Sequence, residues 1–264
     1  MIENLPVYLL LGAFAGTIAG LLGVGGGLII VPVLVYVFTR QHIEPGVMVH
    51  LAVGTSLATI VFTSISSVRA HHQRGAVHWD VFWKLAPGIV LGALLGSVVA
   101  EWMPAHALRR FFAIFEWLVA AQLLVGFRPK PGRGLPRLPG MFGIGGGIGC
   151  VSSIVGIGGG TMTVPFLVWC NMRMQEAVAT SSACALPIAI AGAAGFVLTG
   201  WSSSQLPASS VGYVYLPAFF GIVLASVVFA PLGARLAHRL PADALRKFFA
   251  IFLVLLGFYM FIPH

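Results

Sequence analysis

Charge is what this sequence has least of. Of its 264 residues 7 are acidic and 15 basic, or 8% in all, where a soluble domain carries about 25%. That excludes the solvated surface of a soluble globule. The shortage of carboxylates leaves little for acid–base catalysis, and Asp80, Glu101, Glu176 and Asp243 all fall at the ends of apolar segments. Cysteine is scarce too. Cys150, Cys170 and Cys184 lie in apolar stretches, form no CxxC and have no histidine spaced to complete a metal site. They read as small packing residues, and no metal or other cofactor is expected. There is no HExxH and no GxSxG, and the glycine runs complete neither a P-loop nor GxGxxG, so no enzyme activity is expected. The opening Met-Ile-Glu-Asn lacks a basic region, so residues 1–30 are not read as a cleaved signal peptide.

What is present is apolar. Hydrophobic residues make up 58% and mean hydropathy is +0.97. Runs of about 18 or more apolar residues recur along the chain, as in a polytopic all-α membrane protein. The net charge of +8 then marks cytoplasmic loops rather than a nucleic-acid surface. Eight segments are expected, at 6–38, 47–68, 81–100, 108–127, 140–170, 175–198, 211–237 and 244–262. A Pro-, Gly- and Arg-rich linker over 128–139 separates a first unit, 1–127, from a second, 140–264.

The two units are copies. Gly23-Val-Gly-Gly-Gly27 and Gly156-Ile-Gly-Gly-Gly160 align at an offset of 133, down to Pro32 and Pro165. A Thr-Ser pair follows each, Thr55-Ser56 and Thr180-Ser181. Segments four and eight open with nearly the same eight residues, from Leu108 and from Leu245, and Pro104 and Pro241 stand four residues before them. Charge decides the orientation of the copies. If all eight segments cross, the basic residues divide 7 to 8 between the two sides. If segments one and five instead turn back at their glycines, one side holds 12 and the other only Arg40, Arg109 and Arg110. The positive-inside rule selects the second arrangement. Each unit is then a glycine-broken re-entrant hairpin plus three crossings, the units are inverted, and both termini are periplasmic. Inverted repeats with broken helices near the midplane are a transporter signature.

Successive glycines end a helix, and the next half-helix starts with unpaired N–H groups and a partial positive charge. Glycine also lets an oxyanion approach the backbone. The expected anion site is therefore Gly25, Gly26 and Gly27 facing Gly158, Gly159 and Gly160, with Thr161 adding a donor and Thr55, Ser56, Thr180 and Ser181 completing the shell. Thr and Ser also bond back to helix carbonyls, which is the plainer role for such residues. The spaced glycines Gly12, Gly16 and Gly20, and Gly88, Gly92 and Gly96, read as helix-packing positions. The run from Gly143 to Gly147 has no counterpart in the first unit. Glu116, inside segment four, is a candidate for proton coupling because an intramembrane carboxylate is costly; the second unit has Leu253 there.

The doubled Gly-x-Gly-Gly-Gly-x4-Pro hinge with its following Thr-Ser resembles the TauE/SafE family of sulfite exporters, over essentially the whole chain. The resemblance implies a secondary transporter of the inner membrane that exports sulfite or an organosulfonate such as sulfoacetate by alternating access. Its partners would be membrane lipids and a small anionic substrate. Import of a compound such as thiosulfate, or a passive anion channel, is the alternative.

Overall fold

Apolar runs long enough to satisfy their own backbone form helices here, and the interruptions fall largely at glycine and proline. The computed structural model describes residues 5–22, 26–125, 132, 134–237 and 242–262. They form the helices α1 Leu5–Leu22, α2 Gly27–Arg40, α3 Pro45–Gln73, α4 Trp79–Trp102, α5 Ala105–Val125, α6 Leu138–Val155, α7 Gly160–Trp169, α8 Met174–Gly200, α9 Leu216–Ala237 and α10 Ala242–Phe261. A small antiparallel pair, β1 Ser210–Val211 with β2 Val214–Tyr215, precedes α9. Helices α3, α4, α6 and α8 are long and apolar enough to cross a membrane. The chain is an all-α polytopic membrane protein, as its composition requires.

Each glycine-bearing segment is two helices rather than one, and the two halves turn back on each other. In the first, the missing side chain of Gly26 faces Ala15, while Gln41, just past α2, donates to the Tyr8 hydroxyl near the start of α1 at 2.7 Å. The end of α2 therefore lies beside the start of α1. In the second, Gly159 faces Ile148 and Ser152 of α6, and the carbonyl of Trp169, at the end of α7, accepts from the Gly132 amide before α6 begins.

The pairing of the remaining helices follows from their small residues. Gly12 and Gly16 of α1 lie on the backbone of Ile222 and Ser226 of α9, so these helices run parallel. Gly88, Gly92 and Gly96 of α4 lie on Phe142, Gly146 and Cys150 of α6, again in parallel. Gly145 and Gly149 return the contact against Leu85 and Ile89. Of the run from Gly143 to Gly147, Gly145 and Gly146 let α6 and α4 approach backbone to backbone, as Gly12 does for α1 and α9, while Gly143 and Gly147 meet nothing. Antiparallel pairs complete the bundle. Gly54 of α3 meets Phe196 of α8 while Leu57 meets Gly192. Arg109 of α5 donates to the Tyr259 carbonyl of α10, and the Trp117 indole donates to that of Val254. The antiparallel pairs, α3 with α8 and α5 with α10, join helices at equivalent places in the two copies.

Two expected boundaries move by five residues, the end of segment two, since α3 runs on to Gln73 rather than 68, and the start of segment seven. Segment seven was expected from 211, but α9 starts at Leu216. Gly212, at φ 51°, turns the chain so that Val211 pairs with Val214. This connector reaches back into the bundle: the Tyr213 amide donates to the Phe196 carbonyl at 3.1 Å.

Candidate anion site at the crossing of two glycine turns

The second turn is built by two glycines that only glycine suits. At Gly156 (φ 77°) helix α6 closes in a Schellman pattern: the amides of Gly156 and Ile157 return to the carbonyls of Ser152 and Ser153. At Gly159 (φ 74°) the chain reverses and α7 begins. The Gly159 carbonyl accepts from the amides of Met162 and Thr163. The amides of Gly158, Gly159, Gly160 and Thr161 have no partner among the described residues. The first turn shows its helix start only. Gly26 caps α2 and its carbonyl takes the amides of Ile29 and Ile30; Gly25 lies outside the described residues.

The two turns touch. Where a Cβ on Gly27 would sit stands the carbonyl of Gly156, with Ile157 beside it. The Ser56 hydroxyl donates to that same Gly156 carbonyl at 2.8 Å, and Gly158 packs on Ala185 of α8 and Ile60 of α3. Gly27 of the first copy therefore meets Gly156 and Ile157 of the second at one crossing between α3 and α8, while Gly158 and Gly159 face α3, α6 and α8.

The hydroxyls do not behave as expected. Thr55 donates to the Leu51 carbonyl at 2.6 Å and accepts the Tyr215 amide at 3.0 Å. Thr180 accepts the His78 amide at 3.0 Å. Each threonine thus holds the connector that enters the second crossing of the other copy. Together with Ser56, these two hydroxyls are engaged by protein. Ser181 is different: it is buried and its hydroxyl has no partner among the described residues. So are Ser152, Ser153 and Thr163, and the hydroxyl oxygen of Thr161 is buried without one as well. Ser152 sits against Gly159, and Thr161 and Thr163 occupy the first turn of α7. Leaving such groups unpaired costs about 1–3 kcal/mol each, so the cluster is poised for a ligand or water. It belongs to the second copy alone. At the same offset the first copy has Ala19, Gly20, Leu28 and Ile30. Ser152 and Ser153 escaped the sequence reading, although a polar pair closing an apolar helix three residues before a hinge is itself a signal.

Glu116 is fully buried at the middle of α5, and neither carboxylate oxygen has a partner among the described residues. Its neighbour Trp117 bonds α10, and Glu116 itself has no bond to either glycine turn among the described residues.

A cavity of about 550 Å³ opens at the end of the bundle where α3 begins and α4 and α8 finish. Its lining includes His50, Glu101, Thr199, Ser202, Gln205 and Tyr213. Along α3, His50 faces this cavity, Gly54 and Thr55 meet the Tyr213–Tyr215 connector, and Ser56 meets the glycine crossing. Tyr213 of the connector lines the cavity, and the connector meets α3 at Gly54 and Thr55, next to Ser56 at the crossing.

Comparison with known proteins gives this architecture a family. The family model described as sulfite exporter TauE/SafE matches residues 8–260. A probable membrane transporter protein of Haemophilus influenzae is 36% identical over 255 residues, covering 96% of this chain and 97% of that one. Similar proteins occur in Methanocaldococcus jannaschii (26% identical, 97% and 95% covered) and Bacillus subtilis (25%, 95% and 95%), both also named probable membrane transporter proteins. No solved structure matches the chain. A glycine-broken helical bundle matched from near its first helix to near its last leaves one assignment: the chain is a membrane transporter of the TauE/SafE sulfite exporter family.

Proposed function

We propose that this transporter exports a small sulfur oxyanion, sulfite or an organosulfonate such as sulfoacetate, across the inner membrane by alternating access. The observation that carries the reading is the crossing of the two glycine turns, where the amides of Gly158–Thr161 and the hydroxyls of Ser152, Thr161 and Thr163 have no partner among the described residues, nor has the buried Ser181 hydroxyl on α8. Amides at a helix start and neutral hydroxyls suit an oxyanion, because they supply donors and partial positive charge without burying a full cation. The Gly26–Gly27 end of α2 closes the site from the other copy. Thr55, Ser56 and Thr180 shape it by holding the elements around it. The donor set is lopsided, so the anion sits on the second copy rather than on the axis between the two.

The end carrying Arg69, Arg74 and Lys84 is read as cytoplasmic, and the cavity end as periplasmic. A basic inner rim concentrates anions. Rocking of one unit against the other then exposes the site outward. With a cytoplasm-negative potential, exit of an anion is downhill. The test is sulfite efflux from proteoliposomes with sulfate, thiosulfate and sulfoacetate as competitors. The reading expects protein-dependent flux and selective competition. Folded protein that moves none of these anions would remove the substrate assignment, and unitary currents in bilayers would replace the carrier by a channel.

A further inference from the structure

The cavity at the α3-start end carries chemistry that the anion site does not use. His50 is 4% exposed, and its Nε2 lies 2.9 Å from the Ala100 carbonyl. A carbonyl can only accept, so Nε2 bears the proton and Nδ1 keeps a lone pair. That Nδ1 has no partner among the described residues. The next residue after Ala100 is Glu101, whose Oε1 accepts from the Tyr213 hydroxyl at 3.3 Å and whose Oε2 is buried without a partner. The His50 and Tyr213 rings pack at 5.2 Å between centroids. Burial, followed by the adjacent Glu101 carboxylate, pushes the Tyr213 phenol up to about 12, so it remains a donor.

We propose that His50, Glu101 and Tyr213 form a proton-operated gate between this cavity and the glycine crossing. The Tyr213 phenol of the connector faces Glu101, His50 of α3 shares the cavity lining with it, and α8 contributes only the neutral Thr199. The lining has no lysine, no arginine and no second carboxylate. Glu44 and His106, which follow or precede lining residues closely in sequence, are exposed. With Glu101 ionised and His50 neutral, the cavity carries one negative charge, which repels an anion. One proton taken from the bulk by the pair cancels that charge, and a second, completing Nδ1–H and the neutral carboxyl, leaves it positive. The same protonation removes the charge from the Glu101–Tyr213 hydrogen bond, and charged hydrogen bonds are about twice as strong as neutral ones. The connector is then held by the Tyr213 amide on Phe196, the Tyr215 amide on Thr55 and the packing of the two tyrosine rings on His50, Phe196, Tyr8 and Phe38. Acid at this face therefore loosens the gate and makes its mouth attractive to anions.

The gate depends on the transporter reading only for its consequence, so the test reads it without substrate. Amide hydrogen exchange at Tyr213 and Tyr215, corrected for the intrinsic rate, is compared at about pH 8 and about pH 4, a span that covers the ordinary ranges of both histidine and a carboxylate. The wild-type protein is expected to lose about fivefold in protection on acidification, since a weakened charged hydrogen bond is worth about that factor. Glu101→Gln, which keeps an acceptor but no charge, should already show the acid value at the higher pH. His50→Gln should narrow the pH response while leaving the α3 amides protected. In vesicles that carry anion flux, external acid should speed wild-type flux severalfold and Glu101→Gln flux hardly at all. Equal protection of the connector at both pH values in the wild-type protein overturns the gate. So does a Glu101→Gln protein that keeps the wild-type pH response. Absence of flux with a pH-sensitive connector would instead strike the substrate assignment and leave the gate standing.

Discussion

Single atoms decide the glycine crossing. Gly26 and Gly27 are adjacent and chemically identical, yet they differ in what a methyl group would meet. At Gly27 it would meet the Gly156 carbonyl and the Ile157 Cα, which belong to backbone and cannot step aside. At Gly26 the nearest atom is the Ile30 Cδ1 at 3.1 Å, the far end of a flexible side chain. Gly27→Ala should therefore lower stability in detergent by about 1–3 kcal/mol, the usual penalty for overpacking, and abolish transport by separating the two turns. Gly26→Ala should shift the thermal midpoint far less. Equal midpoints for the two variants would mean that the turns do not press on each other as described. The hydroxyls offer a second prediction at this scale. Ser152→Ala and Thr163→Val each remove a donor with no protein partner. Nothing in the fold is left unsatisfied, so the midpoint should hold or rise. A lost donor to an anion is worth about 1.5–3 kcal/mol, so the half-saturating substrate concentration should rise at least about tenfold. Unchanged transport kinetics in both variants would move the anion off the second copy.

At the scale of elements, the two connectors are the pieces whose movement would open or close the path. Thr55 holds the one that leads into α9, and Thr180 holds the one that leads into α4. The bonds are equivalent, but they lie at opposite ends of the bundle. Thr55→Val should favour opening at the cavity end and Thr180→Val at the other end, each by about 1 kcal/mol, or roughly a fivefold change in population. Labelling of a cysteine placed beneath each connector should report opposite shifts; shifts of the same sign would show general loosening instead. These connectors also mark where the sequence stopped being legible. The breaks at Gly26–Gly27 and Gly156–Gly160 could be read because glycine has a backbone consequence wherever it stands. The packing role of Gly88, Gly92 and Gly96 could be read because a four-residue spacing fixes a helix face. The run from 199 to 215 has neither period nor charge, so nothing announced that Tyr213 and Tyr215 return into the bundle. A hydroxyl does not reveal its partner either. Thr55 and Thr180 were matched in the sequence for a reason, but the reason is a backbone amide of a distant connector. Ser56, next to Thr55, does reach the crossing, as a donor to the Gly156 carbonyl.

For the whole molecule, near-symmetry makes the departures from it informative. The copies match in their broken hairpins, in their glycine-lined parallel pairs and in their threonine pins. They differ in the polar cluster of the second turn, and at Glu116, where the second copy has Leu253. Both Glu116 and Leu253 are fully buried. Leu253 shows that a helix in this position packs well without a carboxylate, so packing does not account for Glu116. An ionised carboxylate in the interior is costly without a cation or a set of donors, and Glu116 has neither among the described residues. Such a group exchanges its proton only when the bundle admits water to it, which ties protonation to the change between open states. Glu116→Gln keeps the shape and removes the proton. The expected result is a folded protein whose flux no longer responds to a pH change on the side opposite the cavity when the cavity side is held at constant pH, with flux in the absence of a gradient retained within about threefold, or under 1 kcal/mol at the barrier. Glu116→Leu, which copies the second unit, should behave in the same way and unfold at a higher temperature, because it replaces an unsatisfied polar group with an apolar one. A gradient response that survives both substitutions would leave the His50–Glu101 pair as the remaining place where protons act on this transporter.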